Sequence, residues 1–98
     1  MIFTFRGQLA EDLFFDRRSG VTRRFPGELR LVAQRKLQYL NVAVRLDDLR
    51  SPPGNRLEGL KGLLAGYHSI RINDQWRICF EWPDRSPGPT NVEIVDYH

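Results

Sequence analysis

The chain has little sulfur and no long apolar run. Its one cysteine, Cys79, cannot close an internal disulfide, and no metal-ligand spacing surrounds it, so disulfide scaffolds and zinc modules are excluded. Its neighbours Arg77-Ile78-Cys79-Phe80 read as strand, which makes a small sheet residue its expected role rather than a catalytic thiol. No hydrophobic stretch approaches the ~20 residues that a membrane-spanning helix needs. The opening Met1-Ile2-Phe3-Thr4-Phe5-Arg6 lacks the charged start, apolar middle and small-residue cleavage site of a secretory leader. Repeats and low-complexity tracts are missing too. These absences predict a cytoplasmic chain with no membrane partner.

What is present fits one domain over residues 1–98. Hydrophobic residues make up 41%, enough for a globular core and too many for a disordered chain. The formal net charge is +3, but its distribution says more than its size. Arg17, Arg18, Arg23, Arg24, Arg30, Arg35 and Lys36 cluster against only Asp16 and Glu28. Such a cluster is either a solvated helix face or a surface for phosphate-rich partners.

Residues 1–6 alternate enough for a short first strand. Leu9, Ala10, Leu13 and Phe14 form one stripe of a short helix that should end near Gly20. A second helix is expected from Pro26, since proline suits a first helical turn. Leu29, Val32, Ala33, Leu37, Leu40 and Ala43 recur at helical spacing along it. Two prolines and a glycine in the stretch 46–55 argue against a regular element there, leaving an ordered loop anchored by Leu46 and Leu49.

The second half reads as sheet. A short strand is expected at 56–60, closed by a turn at Lys61-Gly62. Residues 67–72 and 75–82 alternate, with Asn73-Asp74 as a two-residue hairpin signal weakened by the lack of glycine. Residues 84–90 form a second turn and 91–97 the last strand. The order of elements predicts an α+β domain: an N-terminal strand and two helices on one face of a mostly antiparallel sheet of three to five strands.

Alternation divides the strands into faces. His68, Ile70 and Ile72 share one face with Trp76, Ile78, Phe80, Trp82, Val92 and Ile94, and should meet the helices. The other face carries Tyr67, Ser69 and Arg71, then Gln75, Arg77, Cys79 and Glu81, then Glu93, Val95 and Tyr97. Arg71 and Arg77 should lie side by side, close to the hairpin. The chain ends in Asp96-Tyr97-His98, a titratable and aromatic tail.

These groups suit metal-independent RNA cleavage, in which the 2′-hydroxyl attacks the adjacent phosphorus and the 5′-oxygen leaves. The reaction needs a base, a cation for the crowded phosphorane and an acid for the leaving oxygen. Arginine meets two phosphoryl oxygens with one planar fork. Lysine supplies a compact charge, histidine titrates near neutrality, and tyrosine stacks or holds a proton. The candidates are Lys61, Arg71, Arg77, Asp96, Tyr97 and His98. As a pattern alone they are also compatible with ordinary surface charge.

A resemblance narrows the choice. Asn55-Arg56-Leu57-Glu58-Gly59-Leu60-Lys61-Gly62, Ser69-Ile70-Arg71-Ile72-Asn73-Asp74-Gln75-Trp76-Arg77-Ile78 and the ending Val92-Glu93-Ile94-Val95-Asp96-Tyr97-His98 resemble the HigB/GraT-type toxins of the RelE/ParE superfamily. The preceding Leu46-Asp47-Asp48-Leu49-Arg50-Ser51-Pro52-Pro53-Gly54 resembles the same group. The likeness implies a RelE-like fold and ribosome-dependent cleavage of mRNA in the decoding site of the small ribosomal subunit, with no cofactor and no metal. It also implies a HigA-like helix-turn-helix antitoxin, which would bring operator DNA into contact indirectly. By position, Lys61, Arg71 and Arg77 would stabilise the scissile phosphate, and Asp96, Tyr97 and His98 would complete the site.

This sequence departs from the family pattern twice. Glu58 stands where some relatives carry histidine, so Glu58 is a possible additional site residue, as is Gln75. The turn Leu63-Leu64-Ala65-Gly66 is apolar where relatives usually carry an Asp-Arg type turn, which weakens the case for a phosphate or ribosome contact there and leaves antitoxin and ribosome both open as its partner. The basic cluster from Arg17 to Lys36 becomes a candidate for gripping ribosomal RNA. Two other classes stay open on the residues alone: a non-catalytic antitoxin-binding module, and a general RNA-binding domain.

Overall fold

The computed structural model describes residues 1–96; the sequence candidates Tyr97 and His98 lie outside the described residues. Three helices precede four strands: α1 (Gln8–Phe14), α2 (Gly20–Arg24), α3 (Arg30–Val42), β1 (Glu58–Gly59), β2 (Tyr67–Arg71), β3 (Trp76–Glu81) and β4 (Thr90–Asp96). The strands form one antiparallel sheet in the order β1-β2-β3-β4. Among the described residues, no helix is long and apolar enough to cross a membrane. The α+β class and the helices-on-sheet arrangement match the sequence expectation.

The apolar stripe of α3 behaves as its spacing predicts. Ala33, Leu37 and Leu40 are fully buried, while Leu31, Arg35 and Gln38 stay exposed. They meet Leu13 from α1 and Ile70, Ile78, Phe80 and Val92 from the sheet in one core. Each buried aliphatic or aromatic side chain of this kind contributes about 1.5–3 kcal/mol. Trp76 lies on the same sheet face and meets Phe25 edge-on, with ring centroids 5.0 Å apart.

Several local expectations need correction. Residues 1–6 do not form a strand. They touch β4 through a single parallel bridge at Phe5, with Arg6 N–H bonded to the Val92 carbonyl. The first helix stops at Phe14, and a separate α2 begins at Gly20. Ser19 starts it: its Oγ accepts the Thr22 N–H, and the Thr22 Oγ1 accepts the Ser19 N–H. That capping box uses threonine where glutamate or glutamine is usual, so it is easy to overlook. A one-turn 3-10 segment, Gly27–Leu29, leads into α3, and Pro26 precedes it. The stretch 46–55 holds two short 3-10 helices, Leu46–Arg50 and Pro53–Asn55. The strand expected at 56–60 shrinks to Glu58–Gly59.

The β2–β3 connection also differs from a two-residue hairpin. Ile72 N–H bonds to the Trp76 carbonyl, leaving residues 73–75 in the turn. The Asn73 side-chain oxygen accepts from Gln75 N–H at 3.0 Å and Trp76 N–H at 2.7 Å. Without a glycine to take a primed turn, the asparagine side chain organises the bend instead. In β4 one extra residue, near left-handed Asn91 (φ 51°), shifts the register between Cys79 and Glu81. Val92 and Ile94 lie on the core face of β4 and are buried.

The loop before the sheet is braced by a buried polar contact. Lys36 is buried, and its ammonium donates to Asn55 Oδ1 at 2.7 Å. Asn55 Nδ2 in turn donates to the carbonyls of Leu49 (3.1 Å) and Ser51 (3.3 Å). Lys36 therefore leaves the set of exposed cations in which its sequence position had placed it. Desolvation, aided by the charges of Arg35 and Arg71, holds its pKa below the ordinary lysine value.

Two measurements test this architecture. Asn55→Ala strands a buried ammonium and two carbonyls, and should lower unfolding free energy by about 2–4 kcal/mol in a denaturant titration. A loss below the error of the titration would refute the brace. His68 has a buried, unpartnered Nδ1, and burial lowers its pKa below 6.5. The unfolded chain then binds the proton more readily, so His68's share of stability is complete above about pH 6.5 and declines below it. Comparing melting temperatures of wild type and His68→Phe from pH 7.5 to 5 should show the wild type losing more across that window. Parallel curves would count against it.

Candidate active site

The register of β2 on β3 sets the geometry. Arg71 pairs directly with Arg77, and Arg77 pairs on its other side with Val95. The next row along the same face runs Glu58, Ser69, Cys79, Glu93. Like charges directly opposite on a sheet repel, so this pairing is unfavourable by itself. Two carboxylates offset it. Arg71 Nη2 lies 2.5 Å from Asp74 Oδ1, and Arg77 Nη1 lies 3.0 Å from Glu58 Oε1.

Arg77 is the more enclosed arginine. Its side chain is 13% exposed, against 28% for Arg71. Beyond Glu58 it donates to Ser69 Oγ at 3.4 Å and to the Arg56 carbonyl at 3.5 Å. Ser69 is fully buried, and the turn Pro53–Asn55 packs against β2. The braced loop thus delivers a backbone carbonyl to Arg77. Asp74 is 98% exposed, and the Arg71 hydrogen bond, with weaker help from Arg56's charge, holds its carboxyl below the usual range.

The remaining sequence candidates fall into groups. Gln75 Nε2 donates to Asp96 Oδ2 at 3.0 Å, which ties the hairpin turn to the end of β4. Asp96 is the partner of Trp76, one position beyond the Arg77–Val95 pair. Lys61 stands apart. It follows Leu60, whose N–H bonds to the carbonyl of Tyr67, at the opposite end of β2 from Arg71. It is exposed at the start of the 3-10 turn Gly62–Leu64, beside the fully exposed Leu63. Cys79 lies under the same face, but burial and the nearby charge of Glu93 push its thiol up to about 11, which makes it inert at neutral pH. Among the described residues, no cluster of His, Cys, Asp and Glu gathers that could hold a metal ion.

Sequence reasoning missed Arg56 as a neighbour of this site. The signal was faint: it is a single arginine after Pro-Gly-Asn, and only the folded loop sets it beside Arg77.

The basic cluster divides into tied and untied members. Arg17 Nη1 pairs with Glu11 at 2.7 Å, approaches buried Asp12 at 3.6 Å and lies over the Phe15 ring. Arg30 pairs with Asp16 at 2.6 Å. Arg18, Arg23, Arg24 and Arg35 are exposed. Arg18, Arg23 and Arg30 border a shallow cavity of about 200 Å³ that Phe25 also lines.

Comparison with known proteins identifies the family and the fold. A family model described as the RelE-like toxin of the type II toxin-antitoxin system HigB matches residues 4–98. Toxin HigB-1 of Vibrio cholerae is 47% identical over 62 residues, 63% of this chain and 65% of that protein. The chain therefore spans just under two thirds of that relative's length. An uncharacterized protein of Haemophilus influenzae is 37% identical over 75 residues, 76% of this chain and 74% of its own. In three dimensions the chain is similar to a chain of the YoeB-YefM complex from Staphylococcus aureus, with a TM-score of 0.56 at 18% identity, covering 100% of this chain and 98% of that one. The YoeB/ParE toxin from Agrobacterium tumefaciens gives 0.53 at 19%, covering 99% and 98%. These two likenesses concern the fold. A family match over nearly the whole length, on a sheet face that pairs two arginines, establishes that this chain belongs to the HigB-like, RelE-type toxins of type II toxin-antitoxin systems.

Proposed function

We propose that the chain is a ribosome-dependent endoribonuclease that cuts mRNA by attack of a 2′-hydroxyl on the scissile phosphate. The observation that carries this reading is the Arg71–Arg77 pair, with the Glu58 carboxylate bonded to Arg77. Two cations on one face match the doubly charged phosphorane, and a carboxylate beside them is placed to take the 2′-hydroxyl proton. In the resting protein those cations are held by carboxylates that a phosphate can replace. The Arg71–Asp74 pair is exposed on its acid side, where solvent screening weakens it. A two-oxygen contact with phosphate is stronger.

Asp96, tied to Gln75, stands at the edge of this arrangement, and family position adds Lys61, Tyr97 and His98 to it. Lys61 would reach the RNA away from the arginine pair. The exposed Arg18, Arg23, Arg24 and Arg35 supply sequence-independent affinity for ribosomal RNA. A HigA-like antitoxin is the protein partner in this reading, and the exposed Leu63 and Leu64 suit such a contact. Operator DNA would be reached through that antitoxin. The cytoplasm, where ribosomes and mRNA meet, is the location this activity requires.

Expression should arrest growth, and translated mRNA should be cut while free RNA is spared. Cleavage should survive EDTA at magnesium levels that keep ribosomes assembled. Arg77→Ala should lower the cleavage rate by about 10²–10³-fold, the usual effect of losing one charge-stabilising group. Its melting temperature should stay within a few degrees of wild type. Glu58→Gln should remove about 10²-fold or more at neutral pH if the carboxylate takes the proton. Full toxicity in a folded Arg77→Ala variant would sink the assignment. An intact wild-type protein that leaves translated mRNA whole would favour a non-catalytic module instead.

A further inference from the structure

Arg56 follows the short helical turn Pro53–Asn55 and adopts φ 47°, ψ 58°, in the left-handed region. A residue with a Cβ is disfavoured there, and glycine or asparagine would take the conformation more easily. The surroundings nevertheless enforce it. Arg56 N–H bonds to the Pro53 carbonyl at 3.1 Å, and its own carbonyl accepts from Arg77 Nη1 at 3.5 Å. The preceding Asn55 is fully buried and bonded to Lys36, Leu49 and Ser51. Such a backbone persists because its surroundings over-determine it.

The side chain shows what the position offers. Arg56 is exposed, so its guanidinium adds little to the core. Its charge acts on Asp74, the carboxylate that pairs with Arg71. The residue thus borders Arg77 through its main chain, and its side-chain charge is felt at Asp74, the partner of Arg71. An exposed arginine beside two more enclosed ones suits a neighbouring phosphate rather than the reacting one.

We propose that Arg56 is a third RNA-contacting arginine, which binds a backbone phosphate adjacent to the scissile phosphate. The proposal rests on the ribonuclease reading above. Phosphate contacts position the strand without reading bases, so the effect of Arg56 is uniform across codons.

The test uses the full chain with Arg56→Asn and Arg56→Lys. Asparagine tolerates the left-handed backbone and removes the charge; lysine keeps the charge. Binding is measured on ribosomes programmed with mRNA that is 2′-O-methylated at the cut site, across a salt series. Cleavage is measured on the unmodified message. The Asn variant should lose about one unit of slope in log affinity against log salt and about 10-fold in cleavage, whatever the codon. Its melting temperature should be unchanged or higher. The Lys variant should restore the slope. Should Arg56→Asn fail to fold, Arg56→Gly replaces it.

A folded neutral variant with wild-type slope and cleavage overturns the proposal. So does lost cleavage with an unchanged slope, which would reduce Arg56 to a backbone support for Arg77. Wild type that binds programmed ribosomes without cutting refutes the nuclease reading, while the salt slope still decides the Arg56 contact. Wild type that does not bind them at all refutes both.

Discussion

The site depends on one strand register, the pairing of Arg71 with Arg77 across β2 and β3. Two like charges facing each other weaken a sheet, and the molecule surrounds them with compensations. Glu58 arrives from edge strand β1, Asp74 from the hairpin turn, Ser69 Oγ from within β2 and the Arg56 carbonyl from the preceding loop. Local conflict that the fold tolerates and surrounds with support is a feature of functional sites. Hydrophobic burial on the opposite face supplies the stability that makes the conflict tolerable.

The support has two tiers of strength. The inner tier is buried: Lys36 to Asn55, and Asn55 to the carbonyls of Leu49 and Ser51. Undoing it leaves polar groups unsatisfied away from water, so the loop that carries Arg56 holds its shape. The outer tier is exposed. Asp74 is almost fully exposed and Glu58 half exposed, so solvent weakens the hold of each carboxylate on its arginine. A rigid frame with exchangeable counter-charges suits the binding of a polyanion without large rearrangement.

The basic N-terminal half follows the same division. Arg17 and Arg30 are tied to acidic neighbours on and after α1, and Lys36 is taken inward. Arg18, Arg23, Arg24 and Arg35 keep their charge at the surface. Position in the sequence alone grouped all seven together. The distinction comes from which carboxylate or amide each one meets after folding.

Much of the fold was legible because it rests on local periodicity. The spacing of Ala33, Leu37 and Leu40 defined the buried side of α3, and alternation in 67–72 and 75–82 divided the sheet faces before any coordinates. Arg71 and Arg77 were already on one face, and the motif around them already pointed to the family. What alternation left open was everything joined across long separations. Only the tertiary structure withdrew Lys36 into the interior, set Glu58 against Arg77, left Lys61 at the start of the β1–β2 turn and placed Arg56 beside Arg77. It also reduced the expected first strand to one bridge at Phe5 and split α2 from α1. The physical reason is common to these cases. Side-chain periodicity is a property of neighbouring residues, whereas the pairing of a charge or the burial of an amine depends on segments tens of residues apart meeting in space.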